Sequence, residues 1–290
     1  PAFTIALAAF SGLCLGSFLN VVAYRLPAGI SLSAPRSACP SCATAIKPYD
    51  NIPVVSYLML GGHCRSCHGS ISPRYPLTEA LTGALFAAVI VARGAHAGTW
   101  LALIFVAALV AITRIDLEHR IIPNRILAPV AVAAIVLTTV LTPHLLPERL
   151  IAGAAAGGLL LAAALADPGG MGMGDVKLAA VMGRVLGRAV APALLVALLA
   201  GTLAGIAVMA KRGIRTGRRT AIPFGPFLAL GGLVALLAGT LAGIAVMAKR
   251  GIRAGRHTAI PFGPFLALGG LVALFAGNQI VHAYLHGVVS

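Results

Sequence analysis

Only seven carboxylates occur in the 290 residues. They are Asp50, Glu79, Asp116, Glu118, Glu148, Asp167 and Asp175. Two of them stand where hydrolytic chemistry is conceivable. Asp116 lies in Arg114-Ile-Asp-Leu-Glu-His-Arg-Ile-Ile-Pro123, and Asp175 in Gly172-Met-Gly-Asp-Val-Lys177-Leu. Two carboxylates within reach of one water share a proton, because like charges that close do not both ionise easily. The ionised member then takes a proton from water as it attacks a peptide carbonyl, while the protonated member donates to the carbonyl oxygen. Gly172 and Gly174 permit close backbone approach and a positive φ beside Asp175, leaving access for an extended substrate strand. Lys177 and Arg120 are nearby charges that either favour ionisation or anchor at the membrane interface. The plainer readings are that Asp175 caps a helix and that Asp116 is an interfacial charge. The glycine run at 170–174 has no strand pattern before it, so a dinucleotide loop fails its context test.

Four of the five cysteines form a second constellation. Cys39-Pro-Ser-Cys42 and Cys64-Arg-Ser-Cys67 are two C-x-x-C pairs with residues 43–63 between them. A two-residue spacing lets both thiolates of a pair reach one tetrahedral ion, and two pairs complete a four-thiolate zinc site. Four thiolates leave no open position, so the zinc is expected to be structural. The surrounding polar stretch, 25–76, has little core of its own, and metal binding would supply its folding free energy. The competing readings are disulfides or a redox pair, and a cytoplasmic loop disfavours the former. Cys14 sits in the first apolar run and reads as a small buried hydrophobe.

The elements that position these groups follow from composition. The chain is 59% hydrophobic and 10% charged, with mean hydropathy +0.96. Soluble domains carry about a quarter charged residues. The apolar residues come in runs long enough to cross a bilayer, which needs about 20 residues per helix. The expected fold is an all-α polytopic membrane protein of about eight or nine transmembrane helices with a small cytoplasmic zinc-binding loop domain. Candidate spans are 3–24, 77–93, 98–115, 125–142, 149–166, 175–187, 189–210, 224–248 and 262–286. The domain reading is a first helix at 1–24, a loop domain at 25–76 and a multi-helix membrane domain at 77–290. The first run has no basic stretch before it and reads as a retained helix, not a cleaved signal. The net charge of +15 is read as topological, because loop arginines bias orientation. Nucleic acid is not an expected partner, since no basic stretch is interleaved with aromatics. Placing 25–76 in the cytoplasm puts Arg114, Arg120 and Lys177 on that side as well, and with them both aspartates.

Residues 201–238 and 239–276 are a tandem duplication that differs only at Thr216/Ala254, Arg219/His257 and Leu237/Phe275. Each unit holds one loop and one helix equivalent, so the duplication adds one span. Simple alternation then puts Lys249, Arg250, Arg253 and Arg256 outside, against the charge bias.

Taken in order, the motifs resemble one family. They are Gly16-Ser-Phe-Leu-Asn20, the cysteine loop with Tyr49-Asp-Asn-Ile-Pro53, and Ile71-Ser-Pro-Arg-Tyr-Pro76-Leu-Thr-Glu79. The two aspartate motifs follow, and then Pro223-Phe-Gly-Pro-Phe-Leu-Ala-Leu-Gly231. The chain resembles the type IV prepilin peptidases, membrane aspartyl proteases that are also N-methyltransferases in many members. The resemblance implies cleavage of the leaders of type IV prepilins and type II secretion pseudopilins at the cytoplasmic face of the bacterial inner membrane. It implies Asp116 and Asp175 as the catalytic pair and Cys39, Cys42, Cys64 and Cys67 as zinc ligands. It also implies S-adenosylmethionine as methyl donor where the second activity is present. Two features depart from the family pattern: a short segment between Pro27 and Pro35, and the second closing motif. The readings from other classes are a transporter whose aspartates bind a cation and a zinc-organised scaffold without catalysis.

Overall fold

The computed structural model describes residues 2–166, 171–212 and 223–250. Nine α-helices occur among them. They are α1 (Ala2–Arg25), α2 (Val55–Met59), α3 (Arg74–Arg93), α4 (Thr99–His119), α5 (Asn124–Leu141), α6 (Leu146–Ala166), α7 (Met173–Leu186), α8 (Val190–Arg212) and α9 (Gly225–Arg250). No extended strand forms among the described residues; two isolated antiparallel bridges, Ala38 to Ala45 and His63 to Ser70, lie in the loop between α1 and α3. The expected helix at 262–286, the predicted placement of Arg253 and Arg256, and most of the second repeat copy lie outside the described residues. The chain divides into two units, Pro1–Leu237 and Ala238–Ser290. Both aspartates, the four clustered cysteines and the start of α9 belong to the first.

Six helical stretches are long and apolar enough to cross a membrane among the described residues. These are α1, α3, α4, α5, Pro143–Ala166 and Met173–Lys211. The last runs for 39 residues, far more than the roughly 20 that a bilayer needs. It is broken where the sequence expects two spans. Gly187 ends α7 at φ +58, and a short 3-10 turn leads into α8. With 14 residues, α7 is about 21 Å long and falls short of a hydrocarbon core of about 30 Å. Neighbouring helices must therefore cover its ends.

Helix α4 is the centre of the bundle. Phe105, Val106, Leu109, Ile112 and Ile115 are all nearly or fully buried. The main apolar core joins α4 to α5, α6, α7, α8 and the start of α9. Helices α1 and α3 pack against each other through small residues. A Cβ at Gly12 would come 2.8 Å from the Gly83 Cα, and one at Gly16 would come 2.7 Å from the Glu79 Cα. This is the small-x-x-x-small spacing that lets membrane helices approach closely.

Buried polar side chains join α1 to the start of α3 and fasten the loop to this pair. Asn20 Nδ2 donates to the Tyr75 carbonyl at 3.1 Å. Arg25 donates to the carbonyls of Ser31 and Pro35 at 2.9 and 2.7 Å. Glu79 Oε2, on a residue 8% exposed, accepts the Val54 N–H at 2.7 Å. That bond holds Val54 at φ +61, a conformation that is rare for a β-branched residue. Glu79→Ala should leave this amide unpaired at a cost of about 1–3 kcal/mol. The expected outcome is faster limited proteolysis between 50 and 60 with the bundle intact; an unchanged cleavage rate would show that Glu79 does not hold the loop.

Candidate active site

Asp116 lies in the last turn of α4 and Asp175 in the first turn of α7. Both are buried, at 5% and 9% exposure. They line one cavity of about 270 Å³ together with Arg120, Ile121, Ile122, Gly172 and Gly174. Asp175 is not an N-cap: Gly172 takes that position, and its carbonyl accepts the Asp175 N–H at 3.0 Å.

The local backbone accounts for the cavity. Helix α4 stops because Arg120 adopts a left-handed conformation, φ 55 and ψ 39, with its N–H on the Asp116 carbonyl. The chain then turns back, and Ile121 and Ile122 become cavity wall. Ile122 packs onto Gly174, where a Cβ would come 2.9 Å from the Ile122 Cβ. Gly174 is thus needed for the close approach of Ile122. The expected positive φ is not found. Gly172 has φ −78 and Gly174 is helical, so neither uses a conformation that other residues avoid.

Lys177 is not brought to the cavity. Its Nζ donates to Asn124 Oδ1 at 3.2 Å, which ties α7 to the start of α5. The structure adds a residue that the sequence did not single out. The Gly225 N–H, at the start of α9, donates to Asp116 Oδ2 at 3.0 Å. A Cβ on Gly225 would lie 2.7 Å from that same oxygen. The amide fixes the carboxylate, and the absent side chain makes the approach possible. The only sequence signal was its place in the closing motif.

Glu118, close to the cavity at the end of α4, accepts Arg114 at 2.9 Å and Arg74 at 3.3 Å. Arg74 begins α3, so the end of the cysteine loop sits at the same end of the bundle as the aspartates.

The four cysteines form the second site. Their sulfurs all lie within 4.8 Å of one another, and Cys39 Sγ is 3.8 Å from Cys67 Sγ. Tetrahedral zinc with Zn–S bonds of about 2.3 Å places sulfurs about 3.8 Å apart, so the set fits such an ion. Two matching turns build it. The Cys39 N–H donates to the Thr44 carbonyl and the Ala43 N–H to the Cys39 carbonyl. In the second turn the Cys64 N–H donates to the Gly69 carbonyl and the His68 N–H to the Cys64 carbonyl. Ala43 and His68 take the same left-handed conformation, at φ 57 and 56. Backbone N–H groups inside each turn, those of Cys42 and Ser41 in the first and of Cys67 and Ser66 in the second, hold the Cys39 and Cys64 thiols below the usual range. The Thr44 side chain and amide do the same for Cys42. Cys67 is favoured as thiolate by the Gly69 amide, but the neighbouring sulfurs and burial push it up to about 11. Such crowding of thiolates is what a divalent cation relieves. Arg65 ties the second turn to the 3-10 turn Pro48–Asn51 through Asp50 at 2.6 Å and stacks its guanidinium 5.5 Å from the Tyr49 ring centre. His63 turns its Nδ1 to the Gly61 carbonyl.

The fold and these two sites define a multi-pass helical membrane protein with a carboxylate pair at one end of its bundle and a metal-ready cysteine loop beside it. Family models match in the same order. The bacterial peptidase A24 N-terminal domain covers residues 10–93, and the type IV leader peptidase family covers 103–209. Among curated relatives, the prepilin leader peptidase/N-methyltransferase of Bacillus subtilis is 38% identical over 231 residues, 76% of this chain and 88% of the relative. A type 4 prepilin-like proteins leader peptide-processing enzyme of Escherichia coli is 34% identical, covering 80% and 93%. The prepilin leader peptidase/N-methyltransferase of Pseudomonas aeruginosa is 36% identical, covering 76% and 86%. The chain belongs to the type IV leader peptidase family. No solved structure matches it significantly.

Proposed function

We propose that the chain is a membrane aspartyl endopeptidase that removes the leader of type IV prepilins and type II secretion pseudopilins. It would act at the cytoplasmic face of the bacterial inner membrane. The observation that carries this reading is the convergence of Asp116 and Asp175, from helices distant in sequence, on one cavity. One carboxylate takes a proton from a water that adds to the scissile carbonyl carbon. The other donates a proton to the carbonyl oxygen. Collapse of the tetrahedral intermediate breaks the C–N bond, and the leaving amine takes up a proton. Gly225 holds the Asp116 carboxylate in place, while Gly172 and Gly174 leave the cavity wall open to a peptide backbone. A cation-transport reading favours carboxylates midway along spans, whereas these two sit in terminal turns. Purified protein in detergent should cut a prepilin at its leader junction; failure to cut any prepilin or pseudopilin offered would favour a scaffold.

Residues 25–76 are proposed as the loop domain, with Cys39, Cys42, Cys64 and Cys67 holding a structural zinc. The zinc would supply folding free energy to a segment without an apolar core. Removing it with a chelator should therefore unfold the loop before aspartate chemistry is affected. The check is proteolysis of the loop measured alongside cleavage of prepilin. Prompt, fully reversible inhibition with the loop still folded would instead make the metal catalytic. The proposal covers leader cleavage. The methyl transfer named for the B. subtilis and P. aeruginosa relatives, with S-adenosylmethionine as donor, has no residue assigned to it in this chain.

A further inference from the structure

Helix α2 is built inside out for a water-facing segment. Val55, Leu58 and Met59 stand at i, i+3 and i+4 and so share one face. They are 48%, 69% and 79% exposed. Ser56 is the residue of this helix that turns inward: it is buried, with its hydroxyl donating to the Tyr49 carbonyl and accepting the Ile52 N–H. A short helix with its polar group inside and its apolar face outside is stable in a medium less polar than water. Its position supplies that medium. The residue just before it, Val54, is hydrogen-bonded to Glu79 of a membrane-spanning helix. Glu79 lies five residues into α3, about 7.5 Å along its axis. The start of α2 is therefore level with the end of the bundle and not raised above it. On α3 itself, Leu77 and Leu81 are exposed above and below this level, on a different side of the helix from Glu79, so the apolar outer surface of the span extends as far as the level of α2. Arg74, 65% exposed although it also meets Glu118, stands at the same end of the bundle, where its outer edge suits anionic headgroups.

We infer that α2 is an interfacial foot. Val55, Leu58 and Met59 insert into the boundary between headgroups and acyl chains and hold the cysteine loop against the bilayer. Helices of this kind bury their apolar face about 5–10 Å into that boundary. The occupant is lipid. A protein partner on the same face is the competing outcome of the test.

The chain contains one tryptophan, Trp100, so Trp100→Phe gives a dark background. Met59→Trp or Leu58→Trp then reports from the foot, and Ser66→Trp from the exposed second cysteine turn. Full-length, zinc-loaded protein is placed in phosphatidylcholine/phosphatidylglycerol vesicles with brominated acyl chains. The foot reporters are expected to emit at shorter wavelength and to lose intensity to the bromine, while Ser66→Trp stays red-shifted and unquenched. Foot reporters quenched no more than Ser66→Trp would overturn the inference, whether water or protein covers the face. Should the tryptophan variants fail to insert, the unaltered chain decides. A photoactivatable phosphatidylglycerol should label the peptide 52–60 in preference to 63–70, and equal or reversed labelling would refute lipid contact.

Discussion

Asp116→Asn or Asp175→Asn should each cut prepilin cleavage by about 10²–10⁴-fold, the range that positioned acid–base groups contribute, while membrane-inserted protein accumulates as before. Asparagine keeps the shape of aspartate and can still accept the Gly225 N–H through its side-chain oxygen, so packing around α4 is preserved. It can neither take a proton from water nor pass one on. The two losses should be of similar size and should not multiply in the double variant, because residues that act as a unit are not additive. Cleavage of a prepilin by purified protein, followed by gel shift, measures this. Normal processing by either single variant would mean that the dyad is misassigned.

The second large effect is expected at Gly225. Gly225→Ala pushes a methyl group to within 2.7 Å of Asp116 Oδ2, so the carboxylate must move or the start of α9 must withdraw. A misplacement of about 1 Å at a reacting group can cost about 10²-fold in rate, and kcat should fall with KM little changed. Overpacking of this kind also costs about 1–3 kcal/mol of stability. The duplication provides an internal control, because Gly263 is the matching residue of the second copy. Gly263→Ala should leave cleavage near the starting rate if the first copy alone serves Asp116. The stability cost of Gly225→Ala should largely vanish in an Asp116→Ala background, where the clashing oxygen is gone. Equal costs in both backgrounds would show that Gly225 acts elsewhere. If Gly225→Ala cuts normally while Asp116→Asn does not, the clamp is wrong and the dyad stands.

Much of this architecture is legible in the sequence because membrane helices announce themselves by length and apolarity. The expected spans at 98–115 and 125–142 become α4 and α5 with shifts of a few residues, and the extra turn of α4 carries Asp116 into the helix. The break at Gly187 falls at the end of the first of the two expected runs, 175–187 and 189–210. The cysteine spacing likewise foretells the clustering of four sulfurs, because two-residue gaps constrain local geometry. Lys177 shows where such reading fails. It is near Asp175 in sequence, but positions i and i+2 on a helix point to different sides, and its amine reaches Asn124 instead. Gly225 shows the opposite failure. Every residue but proline offers an N–H, so nothing local marks the one that meets Asp116 across the bundle. Asn20 and Glu79 did carry a signal, since polar side chains inside membrane spans usually have partners, but only the folded loop reveals that Tyr75 and Val54 are theirs.

The start of α3 and the loop before it are held to the bundle by two kinds of attachment that respond differently to the solution. Asn20 and Glu79 are buried, beyond the reach of dissolved ions. The bridge from Arg74 to Glu118 is exposed on the arginine side, at 65%, and attractions between exposed charges fade as the Debye length shrinks from about 10 Å at 0.1 M salt to about 3 Å at 1 M. Rising ionic strength therefore loosens the start of α3 from the end of the helix that carries Asp116 before it frees the loop from α1 and α3. At this end of the bundle, the start of α3 meets the helix that carries Asp116 through a contact whose strength the surrounding electrolyte sets.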